Sequence, residues 1–259
     1  MALMDEENIL MSKTGSKVVI TVNRPGKLNA FDKPTIDKMS LLLNELGKDD
    51  SVRSIVISGA GGKAFCAGTD INYLNGLKSK QEAETFIDSV QGLGFLIESI
   101  DKVVIAAIDG YCFGLGNEIA MACDIRVATS TSLFGQPEIK IGVIPGAGGT
   151  QRLTQLIGVS KSKELIFTGE SIGADEALRL GLVNYVVGKA ELESKVDELI
   201  GKISANSFNS VKASKRVVNE SFHPTGYKIE KQLFVECFEH PDRKEGMDAF
   251  LQKRKPNFK

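Results

Sequence analysis

Apolar residues in this chain recur in two arrangements: short β-branched runs closed by Gly, Pro or Asp, and longer stretches with apolar side chains three or four positions apart. KVVITVNRP (17–25), SIVISGAGG (54–62) and KVVIAAIDG (102–110) are of the first kind and predict buried strands. Between the first two, TIDKMSLLLNEL sets Ile36, Met39, Leu43 and Leu46 at helical spacing, so the local order is strand, helix, strand. A second helix is predicted over 80–99, with Phe86, Val90, Leu93 and Leu96 or Ile97 facing inward. DIRVATSTSLF (124–134) alternates as one strand, and EALRLGLVNYVV (176–187) reads as a helix running into a further strand. This alternation predicts α/β layers. After about residue 190 the pattern changes to amphipathic helices alone, in AELESKVDELIGKISA, NSVKASKRVVNESF, GYKIEKQLFVECFEH and DRKEGMDAFLQKRK. The expected organisation is a core over 1–190 that carries the site, followed by a helical region over 191–259.

Composition narrows the function. The 259 residues carry 32 Lys and Arg against 33 Asp and Glu, a net charge of -1, so no overall field draws the chain to nucleic acid or an anionic membrane. A small-molecule partner is the expectation. Cys66, Cys112, Cys123 and Cys237 form no CxxC pair, and His223 and His240 stand apart from them, so reduced thiols and no metal site are expected. With two histidines only, both late in the chain, a Ser-His-Asp or Cys-His mechanism is disfavoured and acid/base work falls to carboxylates. The start, MALMDEENIL, has neither the basic opening nor the apolar run of a secretory signal, and no apolar run reaches the roughly 20 residues of a membrane span, so a cytoplasmic protein is expected.

The glycine clusters invite a nucleotide reading that their spacing refuses. Gly62-Lys63 is followed by Ala64 and preceded five positions earlier by Ile57, which breaks the Walker pattern. GxGxxG fails at Ala64, Ile119 and Gln151 in the three candidate places. A glycine-flanked helix start can instead hold a negative oxygen, because its first N–H groups are unpaired and carry partial positive charge. Gly114-Leu115-Gly116-Asn117, just before EIAMAC, is such a place.

Glu118 sits in the first turn of that helix. There a carboxylate can serve simply to complement the helix dipole, worth about 0.3–1 kcal/mol. However, Ile119, Ala120, Met121, Ala122 and Cys123 leave the helix no polar outer face, and a buried carboxylate is costly unless paired or used. Glu138, in FGQPEIKIGVIPGAGG, is a second candidate, although as a loop carboxylate it needs no special role. Two carboxylates on either side of one pocket, near backbone N–H donors, would make an acid/base pair.

Five ordered segments, NRPGKLNAF, KAFCAGTDI, AAIDGYCFGLGNEIAMACDIRVA, FGQPEIKIGVIPGAGGTQRL and EGMDAFLQKRKPNF, resemble the crotonase family, the enoyl-CoA hydratase/isomerase superfamily. The resemblance covers nearly the whole chain. It implies a spiral of ββα units followed by C-terminal helices that build a trimer, often paired into a hexamer. It implies an acyl-CoA thioester whose carbonyl oxygen lies between the backbone N–H groups of Thr69 and Leu115. Glutamate at both 118 and 138 resembles the hydratases of the family, where isomerases usually keep only the second.

The implied reaction is syn addition of water to a trans-2-enoyl-CoA, reversible as dehydration of a 3-hydroxyacyl-CoA. In it Glu118 deprotonates the water attacking C3 and Glu138 delivers the proton to C2. No cofactor is implied, coenzyme A being part of the substrate. Positions matching the family's coenzyme A contacts are Lys27, Leu28, Ala30, Ala67, Asp70, Ile71, Phe234 and Lys253, and Gln136 is a candidate to position Glu138. One departure stands out: Leu115 lies where such hydratases commonly have the middle of three glycines, and its bulk, with the likeness to general hydratases, points to short acyl chains such as crotonyl-CoA. A Δ3,Δ2-enoyl-CoA isomerase using Glu138 alone remains an alternative, as does an RNA-binding protein on the same fold.

Overall fold

The computed structural model describes residues 8–221 and 240–258. Among the described residues, ten strands form two sheets. The larger contains β1 (Ile9–Thr14), β2 (Lys17–Val22), β3 (Ser54–Gly59), β5 (Val103–Ile108), β7 (Ile125–Thr129) and β10 (Tyr185–Val187), adjacent in that order and parallel except for the β1–β2 hairpin. The smaller contains β4 (Ala64–Cys66), β6 (Tyr111–Phe113), β8 (Leu133–Gly135) and β9 (Ser171–Gly173), with only β8–β9 antiparallel.

Successive turns of chain lay one strand in the larger sheet, the next in the smaller, and then a helix. β3 and β4 lead to α2 (Ile71–Asn75) and α3 (Lys80–Ser99), β5 and β6 to α4 (Leu115–Ala122), and β7 and β8 to α5 (Gly149–Ile157) and α6 (Val159–Thr168). Because equivalent strands of consecutive turns pair in parallel, the repeat is a ββα spiral, as the resemblance implied.

The helices begin and face as the pattern predicts. α1 (Lys33–Lys48) is capped by Asp32, whose side chain accepts from Thr35 N, and buries Ile36, Met39, Leu43 and Leu46. Helix α3 is capped by Ser79 and buries Phe86, Val90, Leu93 and Ile97. The expected single strand over 124–134 is instead two, β7 and β8, in different sheets. Thr129 and Ser132 are fully buried in the turn between them, their hydroxyls 2.9 Å apart, and Ser132 Oγ donates to Ile108 O at 3.2 Å. Hydroxyls satisfied inside the turn make it look, in sequence, like continued strand alternation.

Among the described residues after 190, all regular elements are helices: α8 (Leu192–Ser204), α9 (Phe208–Asn219) and α10 (Pro241–Leu251), with α7 (Ala174–Leu180) preceding β10. The first of these belongs to the sheet's packing. Val196, Leu199 and Ile200 of α8 cluster with Val56, Val103, Ile105, Ala107 and Val127 of β3, β5 and β7. The main core fills the other side, where α1, α3 and α4 meet the strands. Helix α9 is tied on by Lys215, whose Nζ donates to Ile97 O, Lys102 O and Asp124 Oδ2, each at 2.9 Å. No helix among the described residues is long and apolar enough to cross a membrane.

Candidate active site

Three chain segments converge at the N-terminus of α4. Every residue of α4 is buried, as the run Ile119–Cys123 without a polar outer face predicted, and Glu118 is only 3 % exposed. The helix can sit this deep because Gly116 has no side chain: a Cβ there would stand 2.7 Å from Cys66 Cβ. Leu115 opens the helix, so its N–H has no carbonyl one turn back.

The second segment, Gly68-Thr69, lies against this end. A Cβ on Gly68 would stand 3.8 Å from Leu115 N. Phe31 pairs with Thr69 in an isolated parallel bridge, made by Phe31 N donating to Gly68 O at 2.9 Å and Asp70 N donating to Phe31 O at 2.8 Å. That bridge uses the groups on either side of Thr69 and turns its own N–H the other way. The expected donor pair, Thr69 and Leu115, is thus on adjoining segments, with the positive end of α4 beside it.

The third segment runs from Gln136 through Gly149 and supplies two different environments for two glutamates. Glu118 Oε1 accepts from Ala147 N at 2.8 Å and Gly149 N at 2.7 Å. Burial is the largest influence on the Glu118 carboxyl and raises it above the usual carboxylate range, an effect the N–H groups of Gly149 and Ala147 and the nearby Arg152 cation offset in part. Glu138 lies in the 3-10 turn Pro137–Ile141, and its Oε2 is buried without a hydrogen-bond partner among the described residues. Burial first, and then the negative charge of Glu118, push Glu138 up to about 7. Gln136 is fully buried, and in the amide orientation that satisfies both its ends its nitrogen donates to Glu138 Oε1 at 3.3 Å and Gly114 O at 3.2 Å. The arrangement therefore places two carboxyls raised by burial beside donors suited to a developing oxyanion, and only that of Glu118 has N–H groups and a cation that favour its charged form.

Six of the expected coenzyme A positions also come together. The loop carrying Lys27, Leu28 and Ala30 lies along the segment carrying Ala67, Asp70 and Ile71, joined by Ala67 N donating to Leu28 O at 3.0 Å. Asn29, fully buried, donates to Ala60 O and Ala64 O and accepts from Arg24 N. Asp70 caps α2 and pairs with Lys27 at 2.7 Å and Arg24 at 3.2 Å; the Lys27 contact is the largest influence holding its carboxyl below the usual range. Lys27 and Ile71 remain exposed. Lys253 stands just past α10, also exposed, and among the described residues no hydrogen bond or ion pair joins it to this cluster. Phe234 lies outside the described residues.

The donors Ala147 and Gly149 and the cation Arg152 were not among the expected site residues. Their signal is the Gly148-Gly149 pair opening α5, a glycine-flanked helix start like the one at α4.

Comparison with known proteins agrees with this geometry. The model of the enoyl-CoA hydratase/isomerase family matches residues 13–259. A short-chain-enoyl-CoA hydratase of Clostridium acetobutylicum is 42% identical over 255 residues, 97% of each chain. A crotonyl-CoA hydratase of Syntrophomonas wolfei is 42% identical over 258 residues, covering 98% of this chain and 99% of that one. The crystal structure of an enoyl-CoA hydratase from Bacillus anthracis superposes with a TM-score of 0.92 at 35% identity, covering 98% of this chain and 99% of that one. Spiral fold, paired glutamates and full-length similarity thus converge, and the chain belongs to the enoyl-CoA hydratase/isomerase family.

Proposed function

We propose that this protein is an enoyl-CoA hydratase that adds water reversibly to short trans-2-enoyl-CoA thioesters such as crotonyl-CoA, and that also runs as a 3-hydroxyacyl-CoA dehydratase. The observation that carries the proposal is the contrast between two glutamates at one helix end, Glu118 buried and Glu138 half-buried. Glu118, whose carboxylate form is favoured by two N–H groups and a cation against the cost of its burial, is suited to take the proton of the water that attacks C3. Glu138, pushed up to about 7, is suited to carry the proton that goes to C2. The thioester oxygen becomes enolate-like as the C3–O bond forms, and the N–H groups of Thr69 and Leu115 stabilise it, each such donor being worth about 3–4 kcal/mol of barrier. Thioester and donors supply the activation, so the proposed reaction draws on no metal or redox cofactor.

Lys27, Leu28, Ala30, Ala67, Asp70 and Ile71 are proposed to receive coenzyme A, with Lys27 opposite a phosphate; Phe234 and Lys253 are proposed at its nucleotide end. Leu115, 3 % exposed beside the donor pair, supports a preference for short acyl chains. Self-association into a trimer or a dimer of trimers, through the helical region over 191–259, is part of the proposal. Exposed apolar side chains outside that region, Ile139, Ile141, Val143, Ile144 and Phe167, are further candidates for burial between subunits. Three buried unpaired thiols, Cys66, Cys112 and Cys123, support a reducing, cytoplasmic setting.

The test is loss of conjugated-thioester absorbance when the protein meets crotonyl-CoA, beside Glu118→Gln and Glu138→Gln. The expected result is rapid loss in the parent and a fall of about 10²–10⁴-fold in each variant. Isomerisation of a 3-enoyl-CoA that survives Glu118→Gln, with no hydration by the parent, would replace the hydratase by the isomerase.

A further inference from the structure

The N–H groups that hold Glu118 belong to a loop, and a loop is a poor anchor for a group that must keep its place to within a fraction of an ångström. In this chain the loop is fixed from behind. The peptide that presents Ala147 N–H to Glu118 has its carbonyl, Gly146 O, occupied by Gln91 Nε2 at 2.8 Å. The next carbonyl, Ala147 O, accepts from Arg152 Nη1 at 2.8 Å. Gly148 O, on the peptide that presents Gly149 N–H, accepts from Arg152 N at 2.8 Å.

Arg152, 8 % exposed, is itself held by Glu98 through Nε–Oε1 at 2.5 Å and Nη2–Oε2 at 2.9 Å, a bidentate pair. Gln91 and Glu98 lie two turns apart on α3, and between them Gly94 leaves the guanidinium its space: a Cβ there would be 3.0 Å from Arg152 Nη2. Residues at 91, 94 and 98 share one face of a helix. None of them touches Glu118 directly, and this polar stripe sits beside an otherwise apolar inner face.

We propose that Gln91, Glu98 and Arg152 are positioning residues, a rail along α3 that locks the 146–149 loop so that its two N–H groups fix the catalytic Glu118. The proposal rests on the role given to Glu118 above. The charged groups that face Glu118 are Arg152 from α5 and Glu138 from the turn before it. Loosening the rail weakens the two N–H bonds, and removing Arg152 also removes a cation. Both changes favour the protonated carboxyl and move the Glu118 titration upward.

The experiment uses the full chain with ¹³C-labelled glutamate carboxyls, the Glu118 signal being assigned by its loss in Glu118→Gln. Gln91→Met keeps the size and helix propensity of residue 91 but removes the donor, and Arg152→Gln removes the charge and the fork. The expected result is a higher Glu118 titration midpoint in both variants, larger in Arg152→Gln. It comes with a fall in kcat for crotonyl-CoA of about 10- to 100-fold at nearly constant KM. A Glu118 midpoint equal to the parent's in folded Gln91→Met overturns the rail, whatever happens to activity. Absence of hydration by the parent overturns the hydratase reading instead, while the midpoint still decides the positioning role.

Discussion

Replacing Glu138 by glutamine should make the folded protein more stable at alkaline pH at the same time as it removes activity. The Glu138 carboxyl is raised from 4.5 to about 7, mainly by burial and secondarily by Glu118. A carboxyl whose folded value lies above its unfolded one binds its proton more tightly in the native state. Stability therefore falls as pH rises from the unfolded value through the folded one, here between about 4.5 and about 7. At ~1.4 kcal/mol per pH unit, this gap amounts to roughly 3 kcal/mol, the cost at pH 8 of folding around a charged Glu138.

Glutamine has the same shape, keeps an oxygen to accept from Gln136 and never ionises. The assay is urea unfolding of parent and Glu138→Gln at pH 5 and pH 8, at one protein concentration so that self-association is held constant. The two proteins should be of nearly equal stability at pH 5. At pH 8 the variant should be more stable by up to about 3 kcal/mol. A stability difference that is the same at both pH values, or a variant less stable than the parent at pH 8, would refute the argument that burial holds Glu138 protonated.

The same titration shapes the rate. If the proton for C2 comes from Glu138, kcat for hydration should decline above about pH 7, and a profile flat to pH 9 would assign that proton to another donor. Asn29→Ala removes three hydrogen bonds, one within the 24–31 loop and two that join it to Ala60 and Ala64 in the segment before Thr69, and should cost about 2–4 kcal/mol in urea unfolding. Lys215→Met leaves the Asp124 carboxylate with only Val104 N and should cost about 3–5 kcal/mol at neutral pH. That cost should shrink as pH falls in the same assay, because burial already raises Asp124 and a proton then relieves the uncompensated charge.

Elements long enough to show a period were legible in the sequence. Helix α3 spans Lys80–Ser99 as its apolar spacing predicted, and β2, β3 and β5 lie within the β-branched runs. The smaller sheet was hidden because its strands have three residues each, too few to display alternation. Strand β1 was hidden for another reason: it is an edge strand with only Ile9 buried, so Leu10 and Met11 face outward and break the two-residue pattern. The spiral itself depends on which strands pair in parallel across separations from 20 residues (Ile105 with Ile125) to 58 (Val127 with Tyr185), which local patterning does not encode and the family resemblance did.

The candidate site was legible as residues and illegible as environments. Glu118 was marked by its apolar helix, and Glu138 was a second candidate whose role only likeness to a family defined, yet in sequence both are glutamates near glycines. What separates them is backbone: two N–H groups from the start of α5 point at Glu118, and none of that segment reaches Glu138 Oε2. Those N–H groups are invisible to side-chain reading, since Ala147 and Gly149 contribute only main chain. The residues that fix them, Gln91 and Glu98, lie on a helix whose apolar face alone drew notice. A helix that buries Val90, Leu93 and Ile97 has no packing need for a glutamine and a glutamate beside them. Polar side chains at the border of an inner face, with a glycine between them, are therefore the sequence signal for a second element that must be held rather than merely packed.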